Sequence, residues 1–333
     1  MTVGWGIIGT GRHADKFMAP AIAKTDGARL VGVVSRDPNR AREFASRHGA
    51  SYAWSRYGDL LADPEVHVVL ITTPNAQHYA QVLAAASAGK HILCDKPLAL
   101  TSDQAASAVA ACRSAGVRLG IDFQMRHCKA FRDARQLIAA GTIGDVIAVQ
   151  AEVSPGANPL RGWRTDPSLA GLGAVNNIAI HIYDVLRYVL DAEVTEVAAM
   201  FNTGRERALE ELAMTLFRFD SGALAFVNGN QNVPFQQNDI SIYGTAGRIV
   251  GRNLTRHLEE GEMRIVTANQ DRVISYSNSD AYARVVQDMT LAVAEAKDPL
   301  ATGLDGLRSA QLTEAIAQSV REGRLVVLDQ EES

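Results

Sequence analysis

Cysteines, long apolar runs and an excess of one charge are all scarce in this 333-residue chain, and each shortage excludes a class of protein. The three cysteines are widely spaced and odd in number, which argues against a disulfide framework and a zinc site. The longest apolar stretches, such as Val66 to Thr72, fall far below the roughly 20 residues of a membrane helix. A strand pattern begins at once, leaving no room for a signal peptide. We expect a protein of the reducing cytoplasm.

The charge balance gives no electrostatic reason for nucleic acid or an anionic membrane as partner. The chain has 33 basic and 37 acidic side chains, with no long run of one sign. Its 47% hydrophobic and 21% charged residues are typical of a globular protein. We therefore expect a small-molecule ligand, no bound metal and, at 333 residues, two domains.

The order of predicted elements changes near residue 121. Before it, short apolar runs alternate with helical patterns, which predicts an α/β fold with a doubly wound parallel sheet of the Rossmann type over residues 1–121. After it, strand patterns follow one another with turns between them, as at Asp220-Ser221-Gly222. This indicates a C-terminal α/β domain over residues 122–333, with a large, mostly antiparallel open sheet and both closing helices.

A glycine turn follows the first predicted strand and opens a helix. Its sequence is Gly9-Thr10-Gly11-Arg12-His13-Ala14. The first glycine permits a tight turn, the second lets the backbone approach a pyrophosphate, and Ala14 allows close helix packing. The match within a βαβ unit predicts a dinucleotide site, with residues Gly9 to His13 as cofactor contacts.

The end of the second strand bears on the choice of dinucleotide. NAD sites place a carboxylate there, but this chain has Ser35 followed by Arg36, with Arg40 one helical turn onward. Guanidinium groups pair with a 2′-phosphate and stack on adenine. The alternative is a solvated turn in which Asp37 only caps the helix. The pattern favours NADP over NAD.

Lys96 ends an apolar strand, in the run Gly89-Lys90-His91-Ile92-Leu93-Cys94-Asp95-Lys96-Pro97. Ligands of open α/β sheets bind at the carboxyl ends of strands, so Lys96 is expected to face a nicotinamide. Hydride transfer to a ketone builds negative charge on the oxygen, which an ammonium group stabilises and helps to protonate. The alternative is a surface lysine, which is the usual interpretation of a Lys-Pro pair that does not end a strand.

A second set of polar residues falls on the helix predicted from Asn176 to Leu190. At 100° per residue, one stripe is polar and another, rotated by roughly 110°, is apolar and must face the core. The polar stripe contains Asn177, His181, Asp184 and Tyr188, and the apolar stripe contains Ile178, Ile182, Val185 and Val189. His181 suits proton exchange near neutral pH, and Asp184 is placed to orient it. A lone helical histidine is otherwise most often structural.

Several motifs together resemble the glucose-fructose oxidoreductase and inositol dehydrogenase (Gfo/Idh/MocA) family. They are Gly9 to Ala14, Thr73-Pro74-Asn75 with His78, Gly89 to Ala99, Gly171 to Asp184, Tyr243 to Gly247 and Glu322-Gly323, so the likeness spans nearly the whole chain. Within the family, Gly162-Trp163-Arg164 looks most like the NADPH-dependent 1,5-anhydro-D-fructose reductases.

The resemblance implies roles for particular residues. Lys96 and His181 would be the catalytic residues, while Asn177 and Asp184 would bind substrate. Thr73, Pro74, Asn75 and His78 would approach the cofactor ribose. Family members commonly form dimers or tetramers through the C-terminal sheet, which implies a homo-oligomer.

Two positions depart from the family pattern. Asp95 stands where the family has glutamate before Lys-Pro, and Asn177 stands where it has an aspartate four residues before the histidine. Asparagine can hydrogen-bond a hydroxyl but cannot exchange a proton. This leaves Lys96 and His181 as the strong proton-transfer candidates and leaves the substrate open.

Other candidates carry weaker signals. Trp163 and Arg164, on the predicted loop, are expected to cover the nicotinamide or the sugar, and Arg126 is expected to contact the cofactor. His127, His257 and, apart from its place in the turn, His13 have no partner in the pattern. We interpret these three as surface residues or residues behind the site.

These observations predict an NADP(H)-dependent oxidoreductase acting on a carbonyl or secondary alcohol of a sugar, an anhydrosugar or a cyclitol. Two alternatives remain open. One is a catalytically silent NADP-binding sensor or regulatory subunit, which the loss of the aspartate at Asn177 favours. The other is a glycosidase that uses tightly held NAD for transient oxidation, which Ser35 and Arg36 disfavour.

Overall fold

The computed structural model describes residues 2–202, 208–256 and 260–328, so the predicted position of His257 lies outside the described residues. The chain divides into two compact units. The first comprises Met1–Phe123 and Tyr282–Ala310, and the second comprises Gln124–Ala281 and Gln311–Ser333. The first boundary lies two residues beyond the predicted one. The assignment of both closing helices to the second domain was wrong, since most of one belongs to the first unit.

The first unit contains a six-stranded parallel sheet in the order β3-β2-β1-β4-β5-β6. Its strands are β1 (Val3–Ile8), β2 (Ala28–Val34), β3 (Tyr52–Trp54), β4 (Val68–Ile71), β5 (His91–Cys94) and β6 (Leu119–Ile121). Its helices are α1 (Ala19–Lys24), α2 (Pro38–His48), α3 (Tyr57–Ala62), α4 (His78–Ser87) and α5 (Ser102–Ser114). The predicted doubly wound parallel sheet is confirmed, and Thr101 caps α5, since its hydroxyl accepts from the backbone N–H of Gln104.

The parallel register brings the last residues of neighbouring strands to one edge of the sheet. Ile8 pairs with Val34 and with Ile71, and Cys94 pairs with Ile71 and Ile121. Side chains that follow these strands therefore share that edge. The sequence pattern missed β3 because this edge strand is only three residues long and two of them are exposed.

The helix α9 (Ala281–Ala294) packs its apolar side against the first unit. Val285, Val286 and Met289 are at most 2% exposed and belong to the same core as Trp5 and Ile7. The prediction failed here because an amphipathic pattern shows that a helix has an apolar side but not which core covers it.

The second unit is built on a nine-stranded sheet in the order β14-β13-β12-β11-β7-β10-β9-β8-β15. Its strands are β7 (Val146–Val153), β8 (Val194–Asn202), β9 (Leu212–Phe219), β10 (Leu224–Asn230), β11 (Ile240–Gly244), β12 (Gly247–Arg252), β13 (Glu260–Thr267), β14 (Asp271–Ser277) and β15 (Val326–Val327). Its helices are α6 (Lys129–Ala139), α7 (Pro167–Ala170) and α8 (Ile180–Leu190), and α10 (Gly303–Glu322) runs from the first unit into the second.

Only the β7–β10 pair in this sheet is parallel among the described strands, so the expected mostly antiparallel sheet is confirmed. Strands β12 to β14 were not predicted. Their exposed sides carry arginine and acidic residues, such as Arg264 and Asp271, which weaken the apolar alternation.

The helix that carries His181 lies against the sheet of the second unit. It opens with a π-helical turn, Val175–Ala179, before the regular helix α8 begins. Gly229 of β10 permits this approach, because a Cβ atom there would lie 2.4 Å from the Cβ of Ala179. By length and composition, Pro167–Leu190 is apolar enough to cross a membrane. However, 67% of its most apolar 18-residue stretch is buried, as in the core helix of a globular domain.

Candidate active site

The glycine turn has the shape that a dinucleotide phosphate requires. Gly9 has a φ of +111°, which favours glycine, and the hydroxyl of Thr72 donates to the carbonyls of Ile8 and Gly9. A Cβ atom added at Gly11 would meet nothing within 4 Å, and Ala14 is fully buried. The turn therefore leaves open space at Gly11, where a pyrophosphate needs it, and we find that the residues present fit a dinucleotide.

An open cavity of about 290 Å³ lies beside the turn, and Arg40 is the predicted 2′-phosphate residue that lines it. Arg40 donates from its guanidinium to the carbonyl of Thr10 at 3.3 Å, and the Thr10 hydroxyl donates to Ser35. Asp37 caps α2 by accepting from the backbone N–H of Asn39. The cap and the arginine cluster therefore coexist. The cavity is lined by Thr10, Gly11, Arg12, Asp15, Lys16, Arg40, Glu43, Phe44 and Arg47.

Lys96 lies at the carboxyl edge of the parallel sheet, immediately beyond β5. Its side chain is partly exposed, and its backbone N–H donates to Asp95 Oδ1 at 2.8 Å. The Lys96–Pro97 peptide bond is cis. Asp95 therefore fixes the backbone of the segment that presents Lys96. The side chain of aspartate, although shorter than the glutamate of the family, is long enough for this contact.

His78 is fully buried beneath this segment. Its ring nitrogens lie 2.7 Å from the carbonyl oxygen of Pro97 and 2.9 Å from that of Thr73. Asn75 is also buried, and the Thr73 hydroxyl donates to Gln81. His78 therefore ties the Lys-Pro segment to the loop after β4, a structural contact that the sequence pattern did not indicate.

His13 has a partner that the sequence analysis missed. Its Nε2 lies 2.7 Å from Oδ2 of Asp122, just beyond β6, and Asp122 is 1% exposed. Because these residues are 109 positions apart, no local pattern signals the pair. His127 is 6% exposed, so of the two interpretations the surface residue is excluded and the residue behind the site remains.

His181 and Asp184 occupy different environments on α8. His181 is partly exposed, whereas the side chain of Asp184 is 0% exposed. Two nitrogens of Arg126, Nε and one terminal nitrogen, donate to the two oxygens of Asp184 at 2.9 and 2.6 Å, and Arg187 lies 3.7 Å away. Arg126 and Asp184 therefore form a buried ion pair with two parallel hydrogen bonds. The sequence had predicted that Arg126 contacts the cofactor and that Asp184 binds substrate.

Asn177 links Arg164, another predicted substrate residue, to Gln231, which follows β10. Its Oδ1 accepts from Nε of Arg164 at 3.1 Å, and its amide donates to Oε1 of Gln231. Gln231 in turn donates to the carbonyl of Asn158, which fixes its orientation. An aspartate at position 177 has no donor for Gln231, so the network explains the asparagine.

Trp163 and Arg164 form a stacked pair within the second unit. The guanidinium carbon of Arg164 lies 4.3 Å from the centre of the Trp163 ring. The structure therefore brings Trp163, Arg164 and Asn177 together as predicted neighbours. Gln231 was missed because it lies one residue beyond β10, far along the chain, with no motif of its own.

Fold and site together define a two-domain dinucleotide-binding protein, with a Rossmann domain followed by an α/β domain on an open sheet. The Gfo/Idh/MocA model described as an oxidoreductase family with an NAD-binding Rossmann fold matches residues 3–123, and the model of the family's C-terminal domain matches residues 131–250. The chain belongs to the Gfo/Idh/MocA oxidoreductase family, as its motifs predicted.

Known relatives cover nearly the whole chain. A 1,5-anhydro-D-fructose reductase from Ensifer adhaerens is 31% identical over 329 residues, which are 98% of each protein. The crystal structure of an aldose-aldose oxidoreductase from Caulobacter crescentus, complexed with glycerol, superposes with a TM-score of 0.92 at 26% identity, covering 98% of this chain and 100% of that one. A levoglucosan dehydrogenase in complex with NADH and levoglucosan gives 0.90 at 25%, covering 99% and 100%.

We predict that Asn177→Asp destabilises the protein by about 1–3 kcal/mol, because the aspartate turns an acceptor toward Gln231 Oε1. Urea denaturation at pH 7 measures the change. In a Gln231→Ala background the same substitution should cost clearly less, since the opposing acceptor is gone. Equal costs in both backgrounds would show that Gln231 is not the reason for the asparagine.

Proposed function

We propose that this protein is an NADP(H)-dependent oxidoreductase acting on a carbonyl or secondary alcohol of a sugar, anhydrosugar or cyclitol. One observation carries the proposal. Lys96 and the Gly9–Gly11 turn lie at the same carboxyl edge of one parallel sheet. In open α/β folds this edge is where ligands bind.

Residues of the first unit would hold the dinucleotide. Gly9, Thr10, Gly11, Arg12 and His13 form the phosphate turn. Arg36 and Ser35 would lie along the adenosine ribose, while Thr73, Pro74 and Asn75 would border the cofactor from the loop after β4. When bound, the dinucleotide supplies or accepts a hydride.

Lys96 and His181 would manage the charge and the proton of the substrate oxygen. The Lys96 ammonium group stabilises an oxygen that gains negative charge, and it can give up a proton to that oxygen. His181 is partly exposed and has a side chain that exchanges protons near neutral pH. Asn177, Arg164 and Trp163 would orient the hydroxyls of the substrate.

The substrate class is supported by the relatives and by the polar character of the second unit's candidates. A relative that is 31% identical over 98% of each protein is named for 1,5-anhydro-D-fructose, and a structural relative holds levoglucosan, which is also an anhydrosugar. An amide, a guanidinium and an indole suit the hydroxyls and apolar ring faces of such a molecule. We therefore place anhydroketoses first in the substrate class.

The preference for NADP is supported by the lack of a carboxylate at Ser35 and by the cationic side chains around the open cavity. Arg12, Arg40 and Arg47 line it together with Lys16. Arg47 is paired with Asp15 at 2.5 Å, whereas the hydrogen bond of Arg40 goes to a neutral carbonyl. Arg40 thus keeps charge available for a 2′-phosphate.

A cytoplasmic location is supported by the cysteines. Cys94, Cys112 and Cys128 are free thiols and all are buried. Burial raises the pKa of Cys94 and brings that of Cys112 to about 11. Such thiols behave as packing residues and are unlike a framework of extracellular disulfides.

We expect purified protein to oxidise NADPH in the presence of 1,5-anhydro-D-fructose, with a lower kcat/KM for NADH. Lys96→Met should lower kcat about 100-fold or more, because proton transfer and charge stabilisation are lost together. Absorbance at the reduced nicotinamide band, across a panel of ketoses, anhydroketoses and inositols, measures both.

The control for this experiment is Lys24→Met, at an exposed lysine of α1 that lies outside the predicted site. It should keep wild-type rates. Unchanged rates in Lys96→Met would refute the assignment of that residue. Tight NADPH binding without turnover of any substrate would favour the silent sensor, and release of free sugar without net cofactor change would favour the glycosidase.

Arg40→Ala should weaken NADPH binding about tenfold and leave NADH binding within about twofold, because only NADPH carries the 2′-phosphate. Fluorescence titration of each cofactor measures the two dissociation constants. The matched control is Arg42→Ala, since Arg42 lies on the same helix and donates to Asn39 away from the cavity. An equal loss for both cofactors would place Arg40 elsewhere than at the 2′-phosphate.

A homo-oligomer is supported by the outer face of the second unit's sheet. One face of its central strands is buried, while the opposite face carries exposed apolar side chains, and Met200 pairs directly with Met214 across two strands. Leu216 and Leu224 on the same face are 56% and 47% exposed. A contiguous apolar face of this kind suits a second copy of the chain.

We expect the wild-type protein to be a dimer or tetramer and Leu216→Lys to shift it toward monomer, because burying an unpaired ammonium in an apolar interface is unfavourable. Size-exclusion chromatography with light scattering measures the mass. Leu304→Lys makes the same change at an exposed leucine on α10 and should leave the mass unchanged. A monomeric wild-type protein would remove this proposal.

A further inference from the structure

Four ionisable residues lie at the carboxyl edge of the parallel sheet, and one of them, Asp122, belongs to neither the family motifs nor the proposed function. His13 comes from the glycine turn, Asp95 and Lys96 follow β5, and Asp122 follows β6. One ligand-type atom from each of His13, Asp95 and Asp122 lies within 4.8 Å of the others. Lys96 acts electrostatically on both His13 and Asp122.

Asp122 is the buried member of this group. It is 1% exposed; its Oδ2 pairs with Nε2 of His13 at 2.7 Å, and its Oδ1 has no hydrogen-bond partner within the part of the chain that the structure describes. A buried carboxylate oxygen without a donor is unfavourable. Oδ1 is therefore an acceptor that a donor group at this edge of the sheet would satisfy.

His13 connects this buried carboxylate to the solvent. Its side chain is 19% exposed, whereas that of Asp122 is 1% exposed. The ring packs edge-on against Tyr282 at 5.4 Å and lies 5.8 Å from the ring of Phe17. These aromatic contacts hold the imidazole in place while one part of it remains open to water.

The geometry fits a hydrogen-bonded couple better than a metal site. Two ligands that each lie about 2.0–2.1 Å from a tetrahedral metal would be roughly 3.3 Å apart, but the nitrogen of His13 and the oxygen of Asp122 are 2.7 Å apart. That separation is typical of a charge-assisted hydrogen bond. The neighbouring Lys96 ammonium group also disfavours a second cation.

We propose that His13 and Asp122 form a proton-carrying couple that holds the Lys96 ammonium group and restores its proton. The inference rests on the proposed function, in which Lys96 acts on the substrate oxygen. His13 and Asp122 are positioning residues, since they act through Lys96. They would supply a carboxylate beside the reacting lysine in a chain that has Asn177 in place of the family aspartate.

The proton balance in the reducing direction is simple. An N–H bond of Lys96 breaks as an O–H bond forms on the substrate, which leaves a neutral amine. The protonated imidazole of His13 gives a proton to the Asp122 carboxylate, and the carboxyl group so formed passes a proton to the amine, which restores the carboxylate. Water then returns a proton to His13. Oxidation runs the same transfers in reverse.

The charges around His13 support its role in this series of proton transfers. Burial lowers the pKa of His13, but the carboxylates of Asp95 and Asp122 raise it by more, and Lys96 opposes them, so the net shift is upward. The pKa of Asp122 is also raised, chiefly by burial. The couple therefore keeps a proton to higher pH than isolated groups would. Arg12, next to His13 in the chain, is directed at the ring of Phe17.

The test measures the titration of Lys96 in cofactor-free protein by NMR with lysine labelled with ¹³C at Cε. The chain has only six lysines, and Lys96→Met assigns the signal. Asp122→Asn should lower the pKa of Lys96 by about one unit or more, because the opposing carboxylate is lost. The control, His48→Asn, disrupts another histidine–aspartate pair, with Asp15 at 2.9 Å, and should leave Lys96 unchanged.

Activity gives a second readout. Reduction requires the ammonium form, so the rate falls as pH rises through the pKa of Lys96, and Asp122→Asn should move this fall to lower pH. His13→Ala should lower kcat about tenfold, with recovery in added imidazole. Circular dichroism verifies that each variant is folded.

The outcomes separate the two proposals. If Lys96 titrates alike in wild type and Asp122→Asn, the couple does not act on it and the inference is overturned, whatever the activity. If wild type turns over no substrate while the Lys96 pKa still falls in Asp122→Asn, the proposed function fails and the electrostatic coupling stands. A lower rate in His13→Ala that imidazole does not restore, with an unchanged pH profile, would reduce His13 to a packing residue.

Discussion

The carboxyl edge of the six-stranded parallel sheet is the constraint on which the first unit's chemistry depends. Parallel strands must all end at the same side, so the loops after β1, β4, β5 and β6 are brought together without any local signal. Short contacts then fix these loops to one another. His78 ties the loop after β4 to the Lys96–Pro97 segment, and Thr72 ties the glycine turn to β4.

In the second unit, hydrogen bonds between side-chain amides and guanidinium groups set the orientation of the candidate residues. Asn177 accepts from Arg164 and donates to Gln231, so each group has one possible orientation. Arg126 and Asp184 form a buried ion pair beside this network. Such pairs add specificity of position more reliably than stability, which suits residues that support a binding surface.

The second unit departs from the family pattern at Asn177. The aspartate that the family pattern expects on the helix is Asn177, where a neutral amide satisfies Gln231, while the described part of the first unit holds a buried Asp122 beside Lys96. A carboxylate changes the pKa of a lysine wherever it approaches it, irrespective of the element that carries it. The absence of the family aspartate at Asn177 therefore does not show that the protein lacks a carboxylate for proton transfer.

The sequence alone determined the strands of the parallel sheet other than β3, the glycine turn, the position of Lys96 at a strand end and the family, because these depend on local periodicity and short motifs. Only the tertiary structure decided that α9 packs with the first unit, that Asp184 is neutralised by Arg126, and that Asp122 meets His13. Those contacts join residues 58 and 109 positions apart in the two pairs. Their partners are selected by the meeting of separate elements, which no local pattern records.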